Sequence, residues 1–236
     1  MIDKRANDIP AALGGIDNGA TVMIGGFGGA GSPVELIHGL IDHGATDLTV
    51  ISNNTGSGEV GLAALIRAGR VVKVICSYPR SANSTVFPDL YRAGKIALEL
   101  VPQGTLAERI RAGGSGIPAF YTATGVGTEL QEGKEVRSFE GRSYLMEHGL
   151  SADVALLKAR SADVHGNLLY NMTARNFAPI MATAADLTIV QAEEVVEAGS
   201  LDPEAIVTPG IFVNRVVHVS QPAHEADLVA AGESYP

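Results

Sequence analysis

The chain has 236 residues, of which 46% are hydrophobic and 18% charged, with 17 Lys and Arg against 26 Asp and Glu for a formal net charge of −9. That balance excludes general disorder, and a chain of this length buries enough surface to hold a core without staples. The shortage of cations argues against a nucleic-acid partner, and the single Cys76 can neither close an internal disulfide nor supply a zinc cluster. No apolar run approaches the roughly 18 residues of a membrane span. The opening MIDKRANDIP lacks the apolar segment of a signal peptide, so a cytoplasmic protein without membrane contact is expected.

In chain order, Thr21–Phe27 (TVMIGGF) reads as a strand and Ser32–His43 as a helix, with Ser32 as N-cap, Pro33 at the first helical position and Glu35 completing a capping box. Strand Leu48–Ser52 and a helix near Glu59–Ala68 follow, then strand Val71–Ser77 and a helical segment around Thr85–Ala93. Ile96–Val101 is a fourth strand, and Thr105–Ala112 a helix with a second capping box, Thr105 to Glu108. From Gly113 to Gly149 the pattern loosens into short alternating runs suited to hairpins. Order returns with Asp153–Ala159, Asn167–Tyr170, a helix over Asn176–Ala184 and strand Leu187–Gln191, and Ile211–Val219 is expected to close the sheet. This β-α alternation predicts one α/β domain over residues 1–220. Its core is an open, mostly parallel, Rossmann-like sheet with helices on both faces, plus a small irregular β layer. The polar tail 221–236 is expected to be mobile.

Gly26-Phe27-Gly28-Gly29-Ala30-Gly31 satisfies G-x-G-x-x-G between a strand and a helix, the context in which backbone N–H groups can hold phosphate. A dinucleotide site also needs an acid at the end of the next strand, but there the chain has Ser52-Asn53-Asn54-Thr55. A nicotinamide-binding oxidoreductase therefore stands as the alternative of another class. A metabolite-binding regulator would need a DNA-reading module for which no basic helix is available. His38 and His43 lack a third ligand, and Cys76 lies on a predicted buried strand. Glu59 reads as a solvated helix-start acid, and Lys158-Ala159-Arg160 as a solvated strand end.

The flanks of the glycine loop carry more. Asn18-Gly19, the apolar Val22-Met23-Ile24, Gly25-Gly26-Phe27, and then Gly31-Ser32-Pro33 resemble the signature of family I coenzyme A transferases, in the form carried by their A (alpha) half. Val101–Gly114 (VPQGTLAERIRAGG) and Val207–Phe212 (VTPGIF) match as well, so the resemblance runs from residue 2 to about residue 220. It implies the fold shared by CoA-transferases and NagB-like proteins. Within the family, Ile75–Gly104 most resembles enzymes that move CoA from succinyl-CoA to 3-oxoadipate, with 3-oxo acids such as acetoacetate as the alternative acceptor.

The family works through a glutamate carboxylate in a Glu-Asn-Gly context on the B half, which passes through an anhydride and a glutamyl-CoA thioester. No Glu-Asn-Gly occurs in these 236 residues. The resemblance thus implies half of a hetero-oligomeric enzyme, with the B half as its partner, acyl-CoA and a 3-oxo acid as substrates, and neither metal nor resident cofactor. Gln103, directly after the fourth strand, is implied as an oxyanion donor. Asn53 and Asn54 are expected to contact substrate, and Gly25, Gly26, Gly28 and Gly31 to let it approach the backbone, with Phe27 walling the site. Arg80 is expected to read a remote carboxylate, since a planar guanidinium suits bidentate recognition.

Overall fold

The computed structural model describes residues 2–81 and 83–235. Its first half alternates strictly: strand β1 (Arg5–Ala6), helix α1 (Ile9–Leu13), β2 (Thr21–Ile24), α2 (Val34–His43), β3 (Leu48–Ile51), α3 (Gly61–Arg67), β4 (Val71–Cys76), α4 (Val86–Arg92), β5 (Ala97–Leu100) and α5 (Gln103–Gly114). The second half adds β6 (Ala119–Thr122), β7 (Val136–Phe139), β8 (Arg142–His148), β9 (Ala152–Asp163), β10 (Leu168–Leu169), α6 (Ala178–Thr183), β11 (Ala185–Val196), β12 (Arg215–His218) and α7 (Glu225–Ala230). Among the described residues a nine-stranded sheet runs in the order β1-β12-β11-β9-β2-β3-β4-β5, with β10 on β9, and every pairing except β10–β9 is parallel.

A parallel sheet covered on both faces needs strands that are apolar on both sides, and alternate side chains feed two cores. Val22, Ile24, Val50, Val74 and Leu156 join α1–α4 on one face, while Met23, Ile51, Ile75, Ala155 and Leu157 join α5 and α6 on the other. Residues 113–149 form the expected small β layer, a three-stranded antiparallel sheet ordered β6-β8-β7. Arg109 of α5, with a side chain only 10% exposed, ties this layer down. Its Nη1 donates to Glu99 Oε1 at 2.8 Å and its Nε to the His148 carbonyl at 2.9 Å, with Glu147 Oε2 at 3.9 Å.

Both capping boxes fail, for separate reasons. α2 begins at Val34 with no side-chain cap, because Ser32 is buried against Glu225 and Glu35 accepts instead from Gln191 Nε2 and the Ala223 N–H. Gln191 Oε1 takes over the capping, accepting from Leu36 N at 3.1 Å. α5 starts two residues earlier than predicted, behind extended Pro102, which places Thr105 inside the helix. The predicted helix over 176–184 is α6, trimmed at its start because the Asn176 side chain bonds to the glycine loop, and a 3-10 turn, Met172–Arg175, precedes it. Strand Ile211–Val219 shortens to β12, since Gly210–Phe212 forms a 3-10 turn, and β1 lies outside it at the sheet edge.

The segment from residue 221, expected to be a mobile tail, is folded back onto the domain. Tyr235 stacks on His38 at 3.8 Å, its N–H bonds to the Glu59 carbonyl at 3.0 Å, and its hydroxyl donates to Asp42. No periodic pattern announces this docking, because it rests on single residues, an aromatic stack and separate hydrogen bonds. Glu225 anchors the segment: it is 3% exposed, and its Oε1 is buried without a hydrogen-bond partner. Burial raises its pKa above the usual 4.5, against a smaller opposing effect of Ser32 and Ser57. A carboxyl shifted upward contributes stability while protonated; the contribution is full below the unfolded pKa and is lost as pH climbs through the folded value. Glu225→Gln is therefore expected to raise Tm at pH 8 by a few degrees, at about 2–4 °C per kcal/mol, and to leave it unchanged near pH 4. Thermal melts at both pH values check this, and an equal shift at both would refute it.

Candidate functional site

Parallel strands deliver all their C-terminal ends to one edge, where open α/β sheets bind ligands. Four successive strands do so here: the glycine loop follows β2, Ser52–Ser57 follows β3, Ser77–Ser81 follows β4, and Gln103 opens α5 just beyond β5. Between them lies a cavity of about 650 Å³ lined by Phe27, Gly28, Asn53, Asn54, Tyr78, Arg80 and Gln103, among others.

Asn53 is 4% exposed, and its Oδ1 accepts from Gln103 Nε2 at 2.9 Å and from Ser77 Oγ at 2.8 Å. Its backbone carbonyl accepts from Tyr78 N at 3.0 Å and Ser77 N at 3.2 Å. An amide nitrogen carries two hydrogens. One of Gln103's is committed to Asn53, which fixes the side chain and leaves the other for a ligand. Asn54 is spent on the loop: its Oδ1 caps Gly56 N at 2.8 Å and its Nδ2 reaches the Gly28 carbonyl at 3.4 Å. Arg80 is exposed on the cavity wall and has no ion pair among the described residues. Phe27 (50% exposed) and Tyr78 (64%) present aromatic faces at the mouth.

The remaining glycines serve packing. Gly25 donates to the Leu156 carbonyl at 3.0 Å, and a Cβ there would meet Leu157 at 3.3 Å. Gly26 donates to Asn176 Oδ1 at 3.2 Å. Gly31 has φ +78°, and a Cβ would lie 2.1 Å from the Ala174 carbonyl oxygen, so only glycine fits. None of the three lines the cavity. The loop closes on itself, Phe27 N to Ala30 O at 3.0 Å and Ala30 N to Phe27 O at 3.1 Å. With those N–H groups used internally, and no acid after β3, the geometry is that of a packed turn and not of a dinucleotide cradle.

Ser77 was missed by sequence reasoning. Its signal was its position: a small hydroxyl immediately after a strand, level with Asn53 after the neighbouring one. Elsewhere, Cys76 is buried and its thiol is pushed up to about 12 by burial, which makes it inert. His38 Nε2 accepts from Gly61 N at 2.9 Å, and Glu59 is exposed and paired with Arg67 at 2.8 Å.

Comparison with known proteins fits this geometry. The chain is 61% identical over 220 residues, 93% of its length and 95% of the other's, to the A subunit of 3-oxoadipate CoA-transferase from Pseudomonas putida. It is 53% identical over 202 residues to the A subunit of a probable succinyl-CoA:3-ketoacid coenzyme A transferase from Bacillus subtilis, covering 86% of this chain and 84% of that one. In fold it superposes on glutaconate coenzyme A-transferase from Acidaminococcus fermentans with a TM-score of 0.80 at 22% identity, over 96% of this chain and 77% of that one. Residues 7–219 match the Coenzyme A transferase family pattern, and the chain belongs to that family.

Proposed function

We propose that this chain is the A half of a two-subunit enzyme that moves CoA from succinyl-CoA to 3-oxoadipate in the cytoplasm, through a glutamyl-CoA thioester formed on the B half. The observation that carries this reading is the 61% identity with the Pseudomonas putida protein over 93% of the chain. The cavity chemistry agrees with it. Each step of acyl exchange on a carboxylate builds a tetrahedral oxyanion, which is stabilised by fixed donors placed where the charge develops. Gln103, held by Asn53 and carrying a free N–H, is such a donor and adds no charge that would compete with the partner's glutamate. The nucleophile comes from the B half, so this chain supplies the oxyanion donor and the acyl pocket.

The purified chain is expected to exchange no CoA between succinyl-CoA and 3-oxoadipate until a B-type partner carrying Glu-Asn-Gly is added; turnover without that partner at enzyme-like rates would sink the reading. In the reconstituted enzyme, Gln103→Ala lowers kcat by about 10²–10³ with CoA binding nearly unchanged. A kcat within about threefold of wild type would reduce Gln103 to a turn residue.

Arg80 separates 3-oxoadipate from acetoacetate as acceptor, because only the former has a second carboxylate for an unpaired guanidinium to meet. Arg80→Met raises KM for 3-oxoadipate about tenfold to a hundredfold and leaves acetoacetate little affected, as fits the loss of a charged hydrogen bond. Steady-state kinetics with both acids decide, and equal losses would assign Arg80 to folding or to CoA.

A further inference from the structure

Lys158-Ala159-Arg160 does not end a strand in the structure. It lies within β9, between β2 and β11 in the sheet, and the two cations, two residues apart, project from the same face. The Lys158 side chain is only 10% exposed. Its ion pair among the described residues is with Glu193 Oε1 at 3.7 Å, too long for a hydrogen bond. Arg160 is exposed and has no ion pair among the described residues. The stem of Lys158 is packed while its ammonium, with so loose a counter-charge, keeps its hydrogens available for a ligand.

Both cations open into a second cavity of about 260 Å³, bounded by Gly29–Gly31 on one side and Asn171–Ala174 on the other. It borders the same glycine loop as the Gln103 cavity but shares no lining residue with it. Asn171, Thr173 and His224 add polar groups to the wall. At its rim Met172 is 86% exposed with φ +47°, a left-handed conformation that a non-glycine residue rarely adopts and that clusters at ligand sites. Two cations against one carboxylate leave the cavity positive in a chain of net charge −9. Its volume lies below the usual range for whole organic ligands, about 300–1,000 Å³, and suits one anionic group.

We propose that Lys158 and Arg160 form an oxyanion site, separate from the Gln103 cavity, that binds a carboxylate or phosphate group. On the proposed function, that group is either a carboxylate of the dicarboxylic substrates or a phosphate of coenzyme A; the site itself does not depend on that reading. Calorimetric titration of the full-length chain with succinate and, separately, inorganic phosphate at fixed ionic strength tests it. At least one probe is expected to bind saturably at one site, about tenfold more weakly in Lys158→Met, and within about threefold of wild type in Lys158→Arg. Binding of succinate alone points to the acid, of phosphate alone to the coenzyme, and of both to recognition of charge. Absence of saturable binding by either probe, or equal binding by Lys158→Met, overturns the proposal. Should Lys158→Met fail to fold by circular dichroism, the exposed Arg160→Gln decides: binding about threefold weaker or more supports the site, and unchanged binding overturns it. Because binding is read without the B half and without turnover, its failure is distinct from failure of the transferase reading.

Discussion

One oxygen atom organises the candidate site. Asn53 Oδ1 has two lone pairs, and Ser77 and Gln103 take one each, so the loop after β3, the loop after β4 and the first residue of α5 become a single hydrogen-bonded unit. The parallel sheet brings these segments to one edge, but strand ends alone would leave Gln103 as a surface side chain free to rotate. Its commitment to a buried amide is what turns proximity into preorganisation, the property on which electrostatic catalysis depends. Asn53 thereby acts mainly on Gln103, through which it shapes the cavity.

A second constraint holds the other wall. The glycine loop is fastened by groups far away in sequence: Asn176 accepts from Gly26 and donates to the Ala30 carbonyl, while Glu225 packs against Gly29. The cavity is therefore built from the first hundred residues but braced by the last sixty or so. Gly31 is the tightest point of this wall, since its backbone runs so close to Ala174 that an added methyl group would collide with a carbonyl oxygen.

The fold was legible in the sequence where the pattern was periodic. β2 to β4 and their helices were readable because buried parallel strands are rich in β-branched residues, and the loosened stretch 113–149 did form a separate β layer. Local signals misled where a distant partner claimed the same side chain. Glu35 had the spacing of a capping box, yet Gln191 and Ala223 hold it; Lys158 had the look of a solvated end, yet β9 runs on to Asp163 beneath the glycine loop. At the site, Gln103, Asn53, Phe27, Gly28 and Arg80 were placed on the right edge because strand ends are readable. Ser77 and the bracing role of Asn176 were not, since their partners lie in loops whose mutual position only the folded chain defines.

The strand order also sets a timetable for synthesis. β2 to β5 are neighbours both in the chain and in the sheet, so their pairing requires nothing beyond Leu100, and the segments bearing Asn53, Ser77 and Gln103 leave the ribosome together. β1 differs: Arg5 pairs with Val216, so a strand made ahead of β2 is among the last to find its partner and must wait with its edge groups unpaired while some two hundred residues emerge. Its length of two residues limits that exposure, because so short an edge offers little template for pairing with another nascent chain.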